Sequence, residues 1–297
     1  MFTTFTTLAT LAMTPLQQTD TTVPVRTGAR LEVNNFGGEI AVKTWTRSAV
    51  QIAASHGSRE HVLVEGSEQL VRVKSEGRRG PPQMVDYTIT VPTWMALNLS
   101  GVYTDIKVDG AENEVTAETV QGEITVVGGS GNISLSSVQG AVTLEKGRGR
   151  IDLHSVNEEI KVTAVSGDVS AETVNGDITL RDIESANVEA TTVNGDVTYD
   201  GTIKDGGRYR FSTHNGDLQI SVPEKAGVSV AVSTFNGDFS ACFPVQLNRK
   251  TKHRFEFTIG SGSARLELES FDGDIRLCRP GQVTKDRHRK EKEEEEE

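Results

Sequence analysis

The sequence predicts an all-β protein, a β-solenoid (β-helix) with two short strands per coil of about 18 residues, widening to about 21 toward the C-terminus. Three observations predict it. The first is a repeat. Marking the turn residue two places before each strand's first apolar residue gives Asn113, Gly122, Gly131, Gly140, Gly149, Glu158, Gly167, Gly176, Asn187 and Gly195, mostly nine apart. Alternate marks carry a Ser/Thr-Val-Asn/Gln lead, as in TVQGEIT at Thr119, SVQGAVT at Ser137, SVNEEIK at Ser155, TVNGDIT at Thr173 and TVNGDVT at Thr192. The unit is therefore two strands and two turns.

The second observation is period two within each strand. Ile124 and Val126, Ile133 and Leu135, Val142 and Leu144, and Ile160 and Val162 alternate with Thr, Ser and Lys, the pattern of a half-buried strand. No single unit can bury its apolar face alone, but stacked units share a thin continuous core. A further apolar residue follows many strands (Val138, Val156, Val165, Val174, Ile183, Val193) and is expected to plug the corners. The third is composition. With 29 Gly in 297 residues, 35% apolar and 5% aromatic residues, the chain suits many short strands and tight turns.

Taken in order, residues 1–20 read as a signal peptide. FTTLATLAM from Phe5 is short and apolar with small residues nearby, although a basic leading region is missing. No other segment approaches the about 18 apolar residues of a membrane span, so no transmembrane span is expected in the mature chain. Residues 25–108 read as an N-terminal β region, either the first coils or a cap. A cap is needed because a bare edge strand invites edge-to-edge association. Within it EGRRGPPQ, from Glu76, reads as a loop.

Residues 109–280 carry the solenoid repeats. Beyond Gly195 the marks move to Gly216 and Gly237, and the motif continues as THNGD, TFNGD and SFDGD. Phe211, Phe235, Phe239, Phe243, Phe255 and Phe257 add bulk to this end, either as a thicker cap or as an apolar binding face. Residues 281–297, ending EKEEEEE, read as a charged disordered tail.

Within this frame the turn glycines supply backbone with positive φ. Asn175, Asn194, Asn215 and Asn236 are expected to stack as a structural ladder of amides. Cys242 and Cys278 both lie five residues beyond a turn Gly (Gly237 and Gly273), on what would be the same outward site of neighbouring coils. That spacing permits a disulfide, suited to an exported protein, or leaves two free thiols.

The chemistry is sparse. Asp168, Asp177, Asp196, Asp217, Asp238 and Asp274 each follow Gly, but the doubled Gly and G-x-D spacing of calcium-binding nonapeptide coils are absent. The six His residues show no ligand spacing, and no nucleophile elbow or paired Cys motif occurs. Outward Glu123, Glu145, Asp152, His154, Lys161, Glu172 and Arg181 are mixed in sign and scattered by coil, which reads as a solvated face. No catalytic, cofactor-binding or metal residue is assigned, and no cofactor is expected. A net charge of −11 argues against nucleic acid as a partner.

The lead LEVNNFGGEIAVKTW, the segment YTITVPTWMALNLSG and the serial TVNGD units together resemble the bacterial DUF4097 family of candidate adhesins, over roughly residues 28–280. Glu158 in place of a turn Gly and the irregular late coils are small departures. The resemblance implies a β-solenoid in an exported or envelope-associated protein, located in the periplasm, on the cell surface or secreted. It brings no catalytic residues. The expectation is a non-catalytic adhesin or envelope interaction module, with a glycan, cell-wall polymer or protein as partner. The alternatives are a polysaccharide-acting β-helix enzyme and an envelope scaffold or stress sensor.

Overall fold

The computed structural model describes residues 17–58, 60–77 and 84–282. In chain order the N-terminal strands are β1 (Gln17–Pro24), β2 (Arg30–Trp45), β3 (Ala49–His56), β4 (Glu60–Gly66), β5 (Leu70–Gly77), β6 (Val85–Pro92) and β7 (Ala96–Ala111). Short pairs follow: β8 (Val115–Gln121) with β9 (Ile124–Gly128), β10 (Ser130–Gln139) with β11 (Val142–Glu145), and β12 (Arg148–His154) with β13 (Ile160–Thr163). Next come β14 (Ser166–Glu172) with β15 (Ile178–Ile183), β16 (Asn187–Asn194) with β17 (Val197–Gly201), and β18 (Arg208–Asn215) with β19 (Leu218–Ser221). The chain closes with β20 (Val228–Asn236), β21 (Phe239–Ala241), β22 (Leu247–Lys250), β23 (Arg254–Ile259), β24 (Ala264–Asp272) and β25 (Ile275–Cys278).

Each pair is one coil, and the coils stack in parallel register. Ile133 lies beside Ile151, and Ile151 beside Val169, so one coil is 18 residues there. It lengthens to 19 between Val169 and Val188 and to 21 between Val188 and Tyr209. Two sheets result, facing each other across the core. The first contains β8, β10, β12, β14, β16 and β18, and the second β9, β11, β13, β15, β17 and β19. β2 and β7 are long enough to serve both, because each bends across the corner at Asn35–Gly38 and Gly101–Thr104. The protein is thus an all-β solenoid.

Chain order and spatial order part company at both ends. β24 and β25 stack directly on β18 and β19, and β20 and β21 lie outside them. The TFNGD coil is therefore not the neighbour of the THNGD coil, as a steady spacing of 21 predicts; SFDGD is inserted between. The antiparallel β23 then covers β20, with β22 beyond it. At the other end β5 and β6 stack on β2, and β7 takes its opposite side. Antiparallel β4 covers β5, and β3 with β1 covers β6. The N-terminal end is finished with antiparallel strands on both sheets, and the C-terminal end with antiparallel β23 and β22 on the first sheet and the three-residue parallel β21 on the second, so its edges are short.

Residues 1–16 of the expected leader, and 283–297 of the expected tail, lie outside the described residues. Gln17 to Asp20, which the leader reading also included, begin β1, opposite His56 to Ala53. Among the described residues no helix is long and apolar enough to cross a membrane.

The core is the set of inward columns that the period-two pattern predicts: Val115, Ile133 and Ile151 against Ile124, Val142 and Ile160, all fully buried. Where the coil widens, Tyr199, Tyr209 and Phe211 fill the extra volume, with the Tyr199 and Phe211 ring centroids 4.9 Å apart. Ala171 and Ala190 make room for them in the neighbouring rows.

Candidate functional site

The T-V-N-G-D unit is a corner between the sheets, and each letter has a physical task. The Ser or Thr turns inward and donates its hydroxyl to a backbone carbonyl of the coil below. Ser137 bonds Gly122, Thr192 bonds Gly176, Thr213 bonds Gly195 and Ser270 bonds Gly216, all within 3.1 Å. These hydroxyl residues are buried, and each such bond contributes about 1 kcal/mol net. At Gly195 a Cβ would collide with the Gly176 carbonyl oxygen, so the glycine there answers to close approach of neighbouring coils. At Gly149, on the opposite corner, φ is +113° and the left-handed backbone itself favours glycine.

The Asp accepts a backbone N–H from the next coil. Asp196 donates its N–H to Asp177 Oδ1, Asp217 to Asp196, Asp274 to Asp217 and Asp238 to Asp274, at 2.8–2.9 Å. Asp168 stands on the other corner and accepts from Asn187 Nδ2 at 2.9 Å. Asp177, Asp196, Asp217 and Asp274 thus each accept a bond that ties one coil to the next, and Asp238 ends the column. Among the described residues no three His, Cys, Asp or Glu side chains are grouped to hold a metal ion.

The amides form a chain of bonds from Asn175 to Asn157, Asn194 to Asn175 and Asn215 to Asn194, at 3.2, 2.8 and 2.7 Å. Asn236 does not sit on Asn215. Asp272 occupies the level between them, because β24 is inserted between β18 and β20. Cys242 and Cys278 are joined as a disulfide with Cα atoms 4.8 Å apart, where β21 meets β25. Cys278 is buried rather than outward.

The valine of the unit was expected to plug its corner, and at this corner it does not. Strand alternation forces it outward once the Ser or Thr before it has turned in. Val138, Val156, Val174 and Val193 are about two-fifths exposed, whereas Val165 and Ile183, on the opposite corner, are buried. Val120 begins the exposed column, and His214, Phe271 and Phe235 continue it on β18, β24 and β20. The rings lie flat on one another. His214 to Phe271, Phe271 to Phe235 and Phe235 to His253 are 4.7, 5.1 and 4.8 Å apart, with planes within 16° of parallel. Seven of the ten exposed large apolar side chains among the described residues belong to this ridge. Of the phenylalanines singled out by sequence, Phe211 and Phe257 are core, and Phe239, Phe243 and Phe255 pack against it. Phe235 alone of that set is on the ridge, and its partner Phe271 carried no separate sequence signal.

A second feature lies on the outer face of the first sheet. A groove of about 620 Å³ crosses β12, β14, β16, β18 and β24. Arg150 and Asp152 form one rim and Arg208, Arg210, Arg265 and Glu267 the other, with Asp168, Ser170, Asn187 and Glu189 between. Arg150 pairs with Asp152, and Arg265 with Glu267. Arg208 and Arg210 close no ion pair among the described residues. They alternate outward on β18, about 6.7 Å apart along the strand, and Arg208 is level with Arg265. Sequence reading had Asp152, His154 and Glu172 on the same solvated face as Glu123, Glu145, Lys161 and Arg181. The structure divides them, placing the first three on the first sheet, Glu145, Lys161 and Arg181 on the second, and Glu123 in the turn before β9. The arginine row escaped notice because β20 to β23 separate Arg208 from Arg265 in the chain.

A model of the family described as Toastrack DUF4097 matches residues 14–174 and again 171–278. No curated protein matches the sequence. Among solved structures, a candidate adhesin from Bacteroides fragilis NCTC 9343 is similar at 12% identity, covering 88% of this chain and 97% of its own, with a TM-score of 0.42. A candidate adhesin from Parabacteroides merdae ATCC 43184 is similar at 10% identity, covering 88% and 96%, with a TM-score of 0.40. A candidate lipid-binding protein from Parabacteroides distasonis ATCC 8503 is similar at 11% identity, covering 88% and 96%, with a TM-score of 0.29.

Proposed function

The chain belongs to the Toastrack DUF4097 family, and on that premise we propose that it is an exported, non-catalytic interaction module of the cell envelope. In this reading it holds an extended anionic polymer, a glycan or cell-wall strand, along the outer face of the first sheet. The observation that carries the reading is the groove. It is long, open and shallow, a shape that suits a chain-like ligand better than a small molecule. Arg208 and Arg210 offer unpaired guanidinium forks, which match carboxylate or phosphate groups in two-point contact. Ser170, Asn187 and Asp168 offer hydrogen-bonding groups for hydroxyls between them.

The same groove speaks for binding over cleavage. Glycoside cleavage needs two carboxyl groups free to trade a proton and to attack or activate water. Of the four carboxyl groups that line the groove, Asp152 and Glu267 are paired with Arg150 and Arg265 and Asp168 accepts from Asn187, so Glu189 stands without the second free carboxyl group that cleavage needs.

Affinity capture tests the proposal. The full chain is immobilised and exposed to purified cell wall, a panel of charged and neutral glycans, and solubilised envelope proteins. The expected result is saturable, salt-sensitive retention of an anionic polymer, at least about tenfold weaker in Arg208→Ala/Arg210→Ala. Retention that ignores the double substitution sinks the groove assignment. Retention of a single protein species would instead make this a scaffold or sensor, and a shortened polymer would make it an enzyme.

A further inference from the structure

The groove on the first sheet is not uniformly positive, and its charge pattern narrows what it can hold. Four arginines and four carboxylates line it, so its preference is set by where each sign is left over. Arg150 offsets Asp152 at one rim, and Arg265 offsets Glu267 at the other. Positive charge remains on β18, at Arg208 and Arg210. Negative charge remains on the floor, at Asp168 of β14 and Glu189 of β16. Asp168 accepts its bond from the neutral amide of Asn187, which leaves its charge in place. Glu189 lies directly across from Arg210, and the two close no ion pair among the described residues.

The two signs stand at fixed separations. Glu189 is one strand step from Arg210, about 4.8 Å, and Asp168 is two steps from Arg208, about 10 Å, with Asn187 between them. A polymer with only negative charges, crossing the floor to reach the arginines, would carry those charges over Asp168 and Glu189. Like charges that close repel, and such juxtaposition selects against a ligand. A positive group on the ligand at that point turns the repulsion into attraction.

We infer, on the groove reading above, that the occupant is a zwitterionic stretch of glycan. Its carboxylate or phosphate sits on the forks of Arg208 and Arg210, and a primary ammonium about 5–10 Å along the chain sits on Glu189 and Asp168. The ammonium supplies three N–H donors to the carboxylate oxygens, and Ser170 and Asn187 take hydroxyls beside it. The ligand class is therefore an anionic polysaccharide with amino sugars that carry free rather than acetylated amines.

The test compares two forms of one polymer on the full chain. The first alternates glucuronate with N-acetylglucosamine, and the second is the same polymer de-N-acetylated. Binding is measured at about pH 6, where the amines are protonated and the carboxylates ionised. The wild-type chain is expected to bind the amine form at least about tenfold tighter. A merely basic groove would prefer the N-acetylated form, whose net charge is more negative. Glu189→Gln and Asp168→Asn/Glu189→Gln should weaken binding of the amine form and strengthen that of the N-acetylated form, bringing the ratio toward one. Both carboxylates are exposed, and unchanged melting temperatures separate lost binding from lost folding. Arg208→Ala/Arg210→Ala should weaken both forms.

Equal affinity of the wild-type chain for the two forms, still lost in the arginine pair, overturns the inference and leaves the groove reading standing. Binding of neither form, or binding indifferent to the arginine pair, overturns both. Binding of the N-acetylated form that needs added calcium and fails in Glu189→Gln would put a metal bridge where the ammonium is placed, and overturns the inference as well.

Discussion

Phe271 lies flat on Phe235, ring centroids 5.1 Å apart and planes 4° from parallel, although β21, β22 and β23 intervene between them in the chain. The contact exists because β24 threads back between β18 and β20. That one topological choice also sets Asp272 among the asparagines, Arg265 beside Arg208, and Cys278 beside Cys242.

The amide ladder is expected to contribute measurably to stability. Asn194 donates to Asn175 and accepts from Asn215. Asn194→Ala should therefore cost about 1–2 kcal/mol in urea unfolding, two exposed bonds at the lower end of the usual range. Asn194→Asp, which can accept but not donate, should cost at least as much. A loss below about 0.3 kcal/mol would show the ladder to be incidental.

The corner hydroxyls and the corner valines should respond in opposite ways. Thr192→Val leaves the Gly176 carbonyl without its side-chain donor, at a cost of about 1–3 kcal/mol. Thr192→Ser should retain most of the stability. Val174→Ala, by contrast, removes a side chain that is two-fifths exposed and should change stability by no more than about 0.5 kcal/mol in the isolated chain. Thermal melts of the three variants side by side decide the matter.

Gly195→Ala should be among the most damaging single-methyl changes. The added carbon meets a backbone carbonyl of the coil below, and backbone moves only if the stack opens. A loss of several kcal/mol, or failure to accumulate as folded protein, is expected. Gly206→Ala serves as the control: it shares positive φ but has open space around it. Its penalty should be confined to about 1 kcal/mol.

Removing the crosslink between Cys242 and Cys278 should destabilise the C-terminal coils by about 2–4 kcal/mol. Peptide mapping without reductant is the direct check on the bond. If both thiols alkylate freely in oxidised, folded protein, the bond is absent under those conditions.

Alkaline pH should unfold this protein through its tyrosines. Burial pushes Tyr87 up to about 12 and pushes Tyr199 and Tyr209 up as well. In the unfolded chain all three ionise near pH 10. Above that pH the unfolded state binds fewer protons than the native state, so their contribution, fully present below about pH 10, is lost as pH rises toward the folded values. Urea midpoints at about pH 7 and about pH 11 measure the slope, and Tyr199→Phe should flatten it. An identical slope in that variant would place the alkaline sensitivity elsewhere.

The sequence by itself determined the coil. Alternation along each strand fixed which residues turn inward, because adjacent side chains must leave a strand on opposite faces. The repeat fixed the stacking from Val115 to Asn215, because identical corners can pack only in register. Only the tertiary structure decided which coils are neighbours at the ends. Stacking strength depends on the faces two coils present, not on their distance along the chain, so β24 could take the place beside β18 that chain order gives to β20. Only the tertiary structure, too, turned the valine of each T-V-N-G-D corner outward. A lone valine after a strand reads equally well as plug or ridge. The competing claim of the Ser or Thr hydroxyl on the carbonyl below, visible only once one coil lies on another, settles which way it points.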